Sequence, residues 1–81
     1  IRDMQLDIIT PEKNLYSGEV ELVNLPGSDG SFGILNDHAP IVSTLREGQI
    51  TIVETGKGEK SFDVKGGVVE VNSNKIIVLA E

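Results

Sequence analysis

The 81-residue chain contains no cysteine and no tryptophan. Apart from one histidine, its only aromatic residues are Tyr16, Phe32 and Phe62. Without cysteine, disulfide bonds and thiolate metal sites are excluded. The scarcity of aromatic rings argues against a sugar-binding surface, because such surfaces usually stack sugars on exposed rings. The core must therefore be built mainly from aliphatic side chains.

Basic residues are also few, seven against thirteen acidic ones, which gives a net charge of −6 and a pI near 4.6. An acidic surface repels phosphate backbones and anionic lipid headgroups, so we expect neither nucleic-acid binding nor direct membrane binding. The longest apolar run, residues 76–80, is far shorter than the roughly 20 residues of a membrane-spanning helix. These features favour a soluble, intracellular domain.

Turn-forming residues recur at short, fairly even intervals, for example Thr10-Pro11, Ser17-Gly18, Asp29-Gly30 and Gly66-Gly67. Between the turns lie short segments rich in Ile, Val and Leu, a spacing typical of β-sandwiches and barrels. No segment keeps a helical period over three turns. The sequence therefore predicts one all-β domain over residues 1–81, without a significant helix.

Two segments depart from simple alternation of apolar and polar residues. Val20 and Leu22 share one parity and Val23 has the other, which indicates a β-bulge near Val23 or Asn24, or a strand end buried on both faces. Lys75–Ala80 is apolar on both sides. The predicted strand there is either central and covered on both faces, or lies against a partner.

The single histidine, His38, is the first candidate for chemistry. Neither Ser31 nor Ser43 has a Gly-x-Ser-x-Gly elbow, and Asp37 points to the opposite side of an extended segment. A lone histidine is a poor zinc site because zinc needs three or four ligands. We interpret His38 as a surface residue at a proline-held corner that contacts backbone or a partner.

The glycine-rich turns do not form a phosphate site, since residues 27–30 and 56–58 lack the P-loop spacing and do not open helices. We read Gly66-Gly67 as structural, because glycine permits close backbone approach or a strained corner. The dispersed carboxylates fit a solvated surface or a docking surface for a basic partner. No catalytic, cofactor-binding or metal-binding residue is predicted, and the residues indicate a non-catalytic binding module.

Several motifs follow one another along the chain. They are Leu6-Asp7-Ile8-Ile9-Thr10-Pro11-Glu12, Tyr16-Ser17-Gly18, Gly30-x-x-Gly33-Ile34-Leu35-x-x-His38-Ala39-Pro40, Leu45-x-x-Gly48, Gly66-Gly67-x-x-Glu70-Val71 and Lys75-x-x-Val78-Leu79-Ala80. Together they resemble the ε subunit family of F-type ATP synthases, over the whole chain.

The resemblance implies a β-sandwich of about ten short, mostly antiparallel strands. It also implies a non-catalytic rotor subunit of the central stalk, which couples the γ subunit to the c ring during proton-driven ATP synthesis. Such a subunit works at the cytoplasmic face of the bacterial plasma membrane, or at the organellar equivalent, and meets the membrane only through the complex. Nothing in the resemblance calls for a cofactor in this part of the family's chain.

The matched motifs also imply contact residues. The γ contacts would be His38, Ala39, Pro40, Ile41 and Val42. The c-ring contacts would be Ser28, Asp29, Gly30 and Ser31, with Thr10 at the same end. Asp29 and Asp37 would complement basic groups on these partners.

Most members of the family continue into a C-terminal helical hairpin that can inhibit ATP hydrolysis and in some members binds ATP. Since residues 1–81 stop before it, we expect either a naturally short form or an N-terminal domain, without that inhibition or nucleotide site. Two alternatives come from other classes. One is a stand-alone ligand-binding sandwich such as a carbohydrate-binding module, and the other is a small hydrolase, which would need a convergent polar site.

Overall fold

The computed structural model describes residues 4–34 and 38–81, apart from the side chains of His38 and Ala39. These residues form eight strands and no helix: β1 (Met4–Ile9), β2 (Asn14–Gly27), β3 (Gly30–Ile34), β4 (His38–Leu45), β5 (Gly48–Glu54), β6 (Gly58–Val64), β7 (Gly67–Ser73) and β8 (Lys75–Ala80). The all-β class is confirmed. No helix among these residues has the length and hydropathy to cross a membrane.

The described strands number eight where about ten were expected, partly because β2 is unusually long. It has 14 residues and passes through Ser17-Gly18, where a turn was predicted. That prediction was wrong for a physical reason. A Cβ atom at Gly18 would lie 2.8 Å from the hydroxyl oxygen of Tyr16, so the glycine makes room for the tyrosine ring.

Strand β2 is shared by two sheets. Its first half pairs with β1, and its second half pairs with β3 and β5. We call the layer formed by β1, β8, β7 and β4 the β8 sheet; within it β1 and β8 are parallel and the other pairs antiparallel. The layer formed by β3, the second half of β2, β5 and β6 is the β5 sheet. The two layers make a β-sandwich.

The core lies between the two sheets and is aliphatic, as the composition predicted. Alternate residues of each strand point into it. The buried apolar side chains are Met4, Leu6, Ile8, Val20, Val23, Leu25, Ile34, Leu45, Ile50, Ile52, Val64, Val69, Val71, Ile76, Val78 and Ala80. Tyr16, Phe32 and Phe62 are partly buried against this cluster.

A β-bulge accounts for the change of phase in β2. Val20 lies opposite Glu54 on β5, and Leu22 lies opposite Val53. Two residues of β5 therefore face three of β2, and Glu21 is the additional residue. Beyond the bulge the buried face of the strand passes to Val23. A bulge was predicted, and it lies slightly before the predicted position.

The turns follow the predicted glycines in most places. Gly56, with φ +73°, allows the hairpin between β5 and β6. A Cβ atom at Gly67 would overlap the carbonyl oxygen of Leu79, so close backbone approach explains this glycine. In the β7–β8 turn, Ser73 takes the left-handed conformation, with φ 56°.

Candidate functional site

The outer surface of the β8 sheet carries a cross-strand row of apolar side chains. Strand register places Thr44, Val68, Leu79 and Ile9 side by side on β4, β7, β8 and β1. Leu79 is 54% exposed, and Val68 and Ile9 are each 38% exposed. With adjacent strands about 4.8 Å apart, the row spans about 14 Å.

A second row lies beside the first, two residues further along each strand. It contains Val42, Glu70, Ile77 and Asp7. Val42 is 70% exposed. All four large hydrophobic side chains that are exposed among the described residues therefore lie on this one surface, which we call the apolar face (Ile9, Val42, Val68 and Leu79). Clustered exposure of this kind marks an interaction site, whereas scattered exposed residues do not.

The position of β8 resolves the two alternatives for Lys75–Ala80. The strand lies inside the sheet, between β7 and β1. Because Leu79 is more than half exposed and Ile77 is only half-buried, the described part of the chain leaves much of the outer side of the strand uncovered. The alternative of a strand covered on both faces was wrong for the described residues, and a surface for a partner is the alternative that remains.

The predicted γ-contact residues lie along β4 and reach into the apolar face. Pro40 is exposed, Ile41 is half-buried against the core and Val42 belongs to the second row. The backbone of His38 pairs with Ser73 at the other end of β4. The side chains of His38 and Ala39 lie outside the described part of the chain, as does Asp37 entirely.

The predicted c-ring turn joins the same sheet at the end of β4. Ser28 and Asp29 connect β2 to β3, and both are exposed, as are Gly30 and Ser31. Gly30 has φ +134°, which favours glycine. The Ser28 amide donates to the Thr44 carbonyl oxygen at 3.0 Å, and the Thr44 hydroxyl donates to the Ser28 hydroxyl at 2.8 Å. The turn is thereby attached to one side of the first row.

Thr10 lies at the other side of the first row, directly after Ile9. Its amide donates to the Lys13 carbonyl oxygen at 2.8 Å, and its hydroxyl accepts from the Lys13 amide at 3.1 Å. These bonds close the loop between β1 and β2. Ser28 and Thr10 therefore flank one row, separated by the width of the β8 sheet.

A polar cluster that sequence reasoning missed lies at the margin of the core. The Tyr16 hydroxyl donates to Glu54 Oε2 at 2.8 Å, and Lys60 Nζ lies 3.4 Å from Glu54 Oε1. The rings of Tyr16 and Phe62 are 5.6 Å apart. The available signal was parity, because Glu54 follows Ile50 and Ile52 on the inward side of β5 and is only 8% exposed.

The cluster shifts the pKa values of both of its acidic groups. Burial and the bond to Glu54 raise the pKa of Tyr16 to about 12. The hydrogen bond from Tyr16 lowers the pKa of Glu54, burial opposes this, and Lys60 lowers the pKa further. Tyr16 therefore remains a donor and Glu54 an anion near neutral pH, so the cluster links β2 to β5 and β6. Among the described residues, His, Asp and Glu form no group of three suited to a metal ion.

These features define a class: a small β-sandwich with one open apolar face. The chain belongs to the family described as the ATP synthase, Delta/Epsilon chain, beta-sandwich domain, whose pattern matches residues 3–81. The assignment agrees with the resemblance found in the motifs.

Curated relatives of two lengths match the chain. The ATP synthase epsilon chain of Caulobacter vibrioides is 44% identical over 78 residues, which cover 96% of this chain and 90% of the relative. That of Maricaulis maris is 40% identical over 78 residues, which cover 96% of this chain but only 58% of the relative.

Among solved structures, a chain of the Euglena gracilis mitochondrial ATP synthase, in an assembly of OSCP, F1 and c-ring, superimposes with a TM-score of 0.90. The match covers 96% of this chain and 50% of that chain at 18% identity. At this identity the likeness shows the fold alone.

Proposed function

We propose that this chain is a rotor subunit of an F-type ATP synthase that couples the γ subunit to the c ring. In this role it is non-catalytic and transmits torque during proton-driven ATP synthesis. It works in the central stalk, at the cytoplasmic face of the bacterial plasma membrane, and meets the membrane only through the complex. The observation that carries the proposal is the family match, which covers residues 3–81.

The apolar face supports a γ-binding surface larger than the predicted corner. Val42 lies at one side of it with Pro40 exposed nearby, and Leu79 and Val68 extend it across the sheet. A partner that covers these side chains removes apolar area from water, which stabilises the complex by about 25 cal/mol per Å² before the costs of association.

A substitution at Leu79 tests the γ contact. Leu79→Gln keeps the length of the side chain but makes it polar, so we expect binding to the γ subunit to weaken by about tenfold or more. Titration calorimetry with purified γ subunit measures the affinity. Val53→Gln is the matched control, because Val53 points outward from the β5 sheet. Equal affinity of the two variants, or no binding of the wild type at about 10 μM, would contradict the proposal.

The turn of residues 28–31 supports the second contact. Asp29 is exposed at its tip, and we infer that it complements basic groups of the c-ring loops. Asp29→Lys should weaken assembly with the c ring, most strongly at low salt, because exposed charges are screened as salt rises. Sedimentation of the chain with c ring-containing complexes measures this. If neither assembly nor its salt dependence changes, Asp29 has no such role.

A further inference from the structure

We propose that Glu70 receives a basic side chain of the partner that covers the apolar face. The inference rests on the proposed function, since it concerns how the γ subunit docks there. It adds a chemical requirement: the γ surface must present a lysine or arginine between the apolar groups that contact Val42 and Ile77.

The position of Glu70 makes it part of any contact with the apolar face. In the second row, Glu70 on β7 lies between Val42 on β4 and Ile77 on β8. A shallow hollow of about 260 Å³ lies at the same place, and Pro40, Val42, Glu70 and Asn72 contribute to its lining. A partner that packs on Val42 and Leu79 therefore also covers the Glu70 carboxylate.

This carboxylate has no donor within the described part of the chain. Among the described residues, an ion pair joins Lys60 to Glu54, and no side chain donates a hydrogen bond to Glu70. Asp7, in the same row, differs because it accepts a hydrogen bond of 2.6 Å from the Ser17 hydroxyl. Of the two carboxylates in this row, Glu70 is therefore the one without a hydrogen-bond donor among the described residues.

Electrostatics then restricts the partner. A carboxylate that loses water without gaining a counter-charge opposes binding, and a paired one does not. A lysine or arginine supplies that charge, and its aliphatic stem can lie along Pro40 and Val42. The net charge of −6 also favours a partner with a basic surface.

Lys75 is the cation nearest in register on the same surface. It lies on β8, opposite Asn72 on β7, one row beyond Glu70. No ion pair joins it to Glu70. A test must therefore separate a cation of the partner from Lys75.

The experiment compares Glu70→Gln with Glu59→Gln in binding to the γ subunit, by calorimetry at about 50 mM and about 300 mM salt. Glu59 points outward from the β5 sheet, opposite Val53, so its variant removes the same charge from the other face. We expect Glu70→Gln to bind about 3- to 10-fold more weakly at low salt, with a smaller salt dependence than wild type. Glu59→Gln should keep most of the affinity.

Two results would overturn the inference. One is equal affinity and equal salt dependence of the two glutamine variants. The other is an equal loss in Lys75→Gln, which would make Lys75 the counter-charge. In either case a large loss in Leu79→Gln would leave the proposed function standing, whereas wild-type affinity in Leu79→Gln would contradict the proposed function itself.

Discussion

The two outer surfaces of this sandwich differ although both sheets cover the same core. On the β5 sheet, polar side chains face each other across β5 and β6: Gln49 donates to Asp63 at 3.1 Å, and Thr51 and Ser61 lie 3.5 Å apart. On the β8 sheet, the corresponding positions are occupied by Val68, Leu79 and Val42, which are all exposed.

This difference separates the surface residues that the fold requires from those that contact with a partner would require. A solvated sheet surface is stable with cross-strand polar pairs, as the β5 sheet is. Exposed leucine and valine add little to the stability of the isolated domain, because water still reaches them. Their clustering on one surface is what the proposed contact with the γ subunit would require.

The largest effect on stability is expected from substitutions in the core, beneath both surfaces. Ile76→Ala under the β8 sheet and Ile50→Ala under the β5 sheet should each lower the free energy of unfolding by about 2–5 kcal/mol, because each leaves a cavity in a dry core. Urea denaturation measures both, since Ile76 and Ile50 are fully buried. A loss below about 1 kcal/mol in one variant would mean that the buried residues of that sheet contribute less to stability than those of the other sheet.

An intermediate effect is expected where β2 meets the β5 sheet, at Tyr16 and Glu54. Tyr16 is the only tyrosine, so its ultraviolet titration is read without interference. Because the folded-state pKa is raised to about 12, the stability it provides is present below pH about 10 and is lost between about 10 and 12. Glu54→Gln removes the charge that helps raise the pKa, so the midpoint should fall.

In acid, the pH dependence of stability has the opposite sign, because stability falls as the pH falls. The pKa of Glu54 is lowered in the fold, so its stabilising contribution is present above its ordinary pKa and disappears as pH falls through the lowered value. Wild type should therefore lose stability in acid more steeply than Glu54→Gln, as measured by urea denaturation at a series of pH values. Parallel pH profiles of the two proteins would show that the cluster has no linkage to folding.

The smallest effects on stability are expected on the outer surfaces themselves. Leu79→Ala on the β8 sheet and Asp63→Ala on the β5 sheet should each change the free energy of unfolding by less than about 1 kcal/mol. Thermal denaturation compares the two variants. A loss above about 2 kcal/mol for Leu79→Ala would mean that this side chain serves the fold, and the contrast between the surfaces would disappear.

Alternation along single strands was predictable from the sequence, and pairing between distant strands was not. Met4, Leu6 and Ile8 stand at alternate positions of the sequence, and all three are buried on one face of β1, as the period of two of a strand requires. The parallel pairing of β1 with β8 joins the two ends of the chain, and no local pattern encodes it. The bond from Tyr16 to Glu54 spans 38 positions and escaped prediction for the same reason.

The surface was predictable only in part. The resemblance to the ε subunit family pointed to Val42 and to the turn of residues 28–31, because its motifs are short local segments of the sequence. They did not reveal that Leu79, Val68 and Ile9 share one row, since this depends on three strand registers. The consecutive apolar residues of β8 were the signal, and they left open whether chain or partner covers the strand.

Thiol protection tests the partner-covered surface most directly, because the chain has no cysteine of its own. A single thiol is introduced by Leu79→Cys on the apolar face or by Thr51→Cys on the β5 sheet. Its rate of alkylation is followed by the mass of the chain, with and without the γ subunit. We expect γ to slow labelling at position 79 by about tenfold or more and to leave position 51 nearly unchanged. Equal labelling at position 79 with and without bound γ would contradict the account.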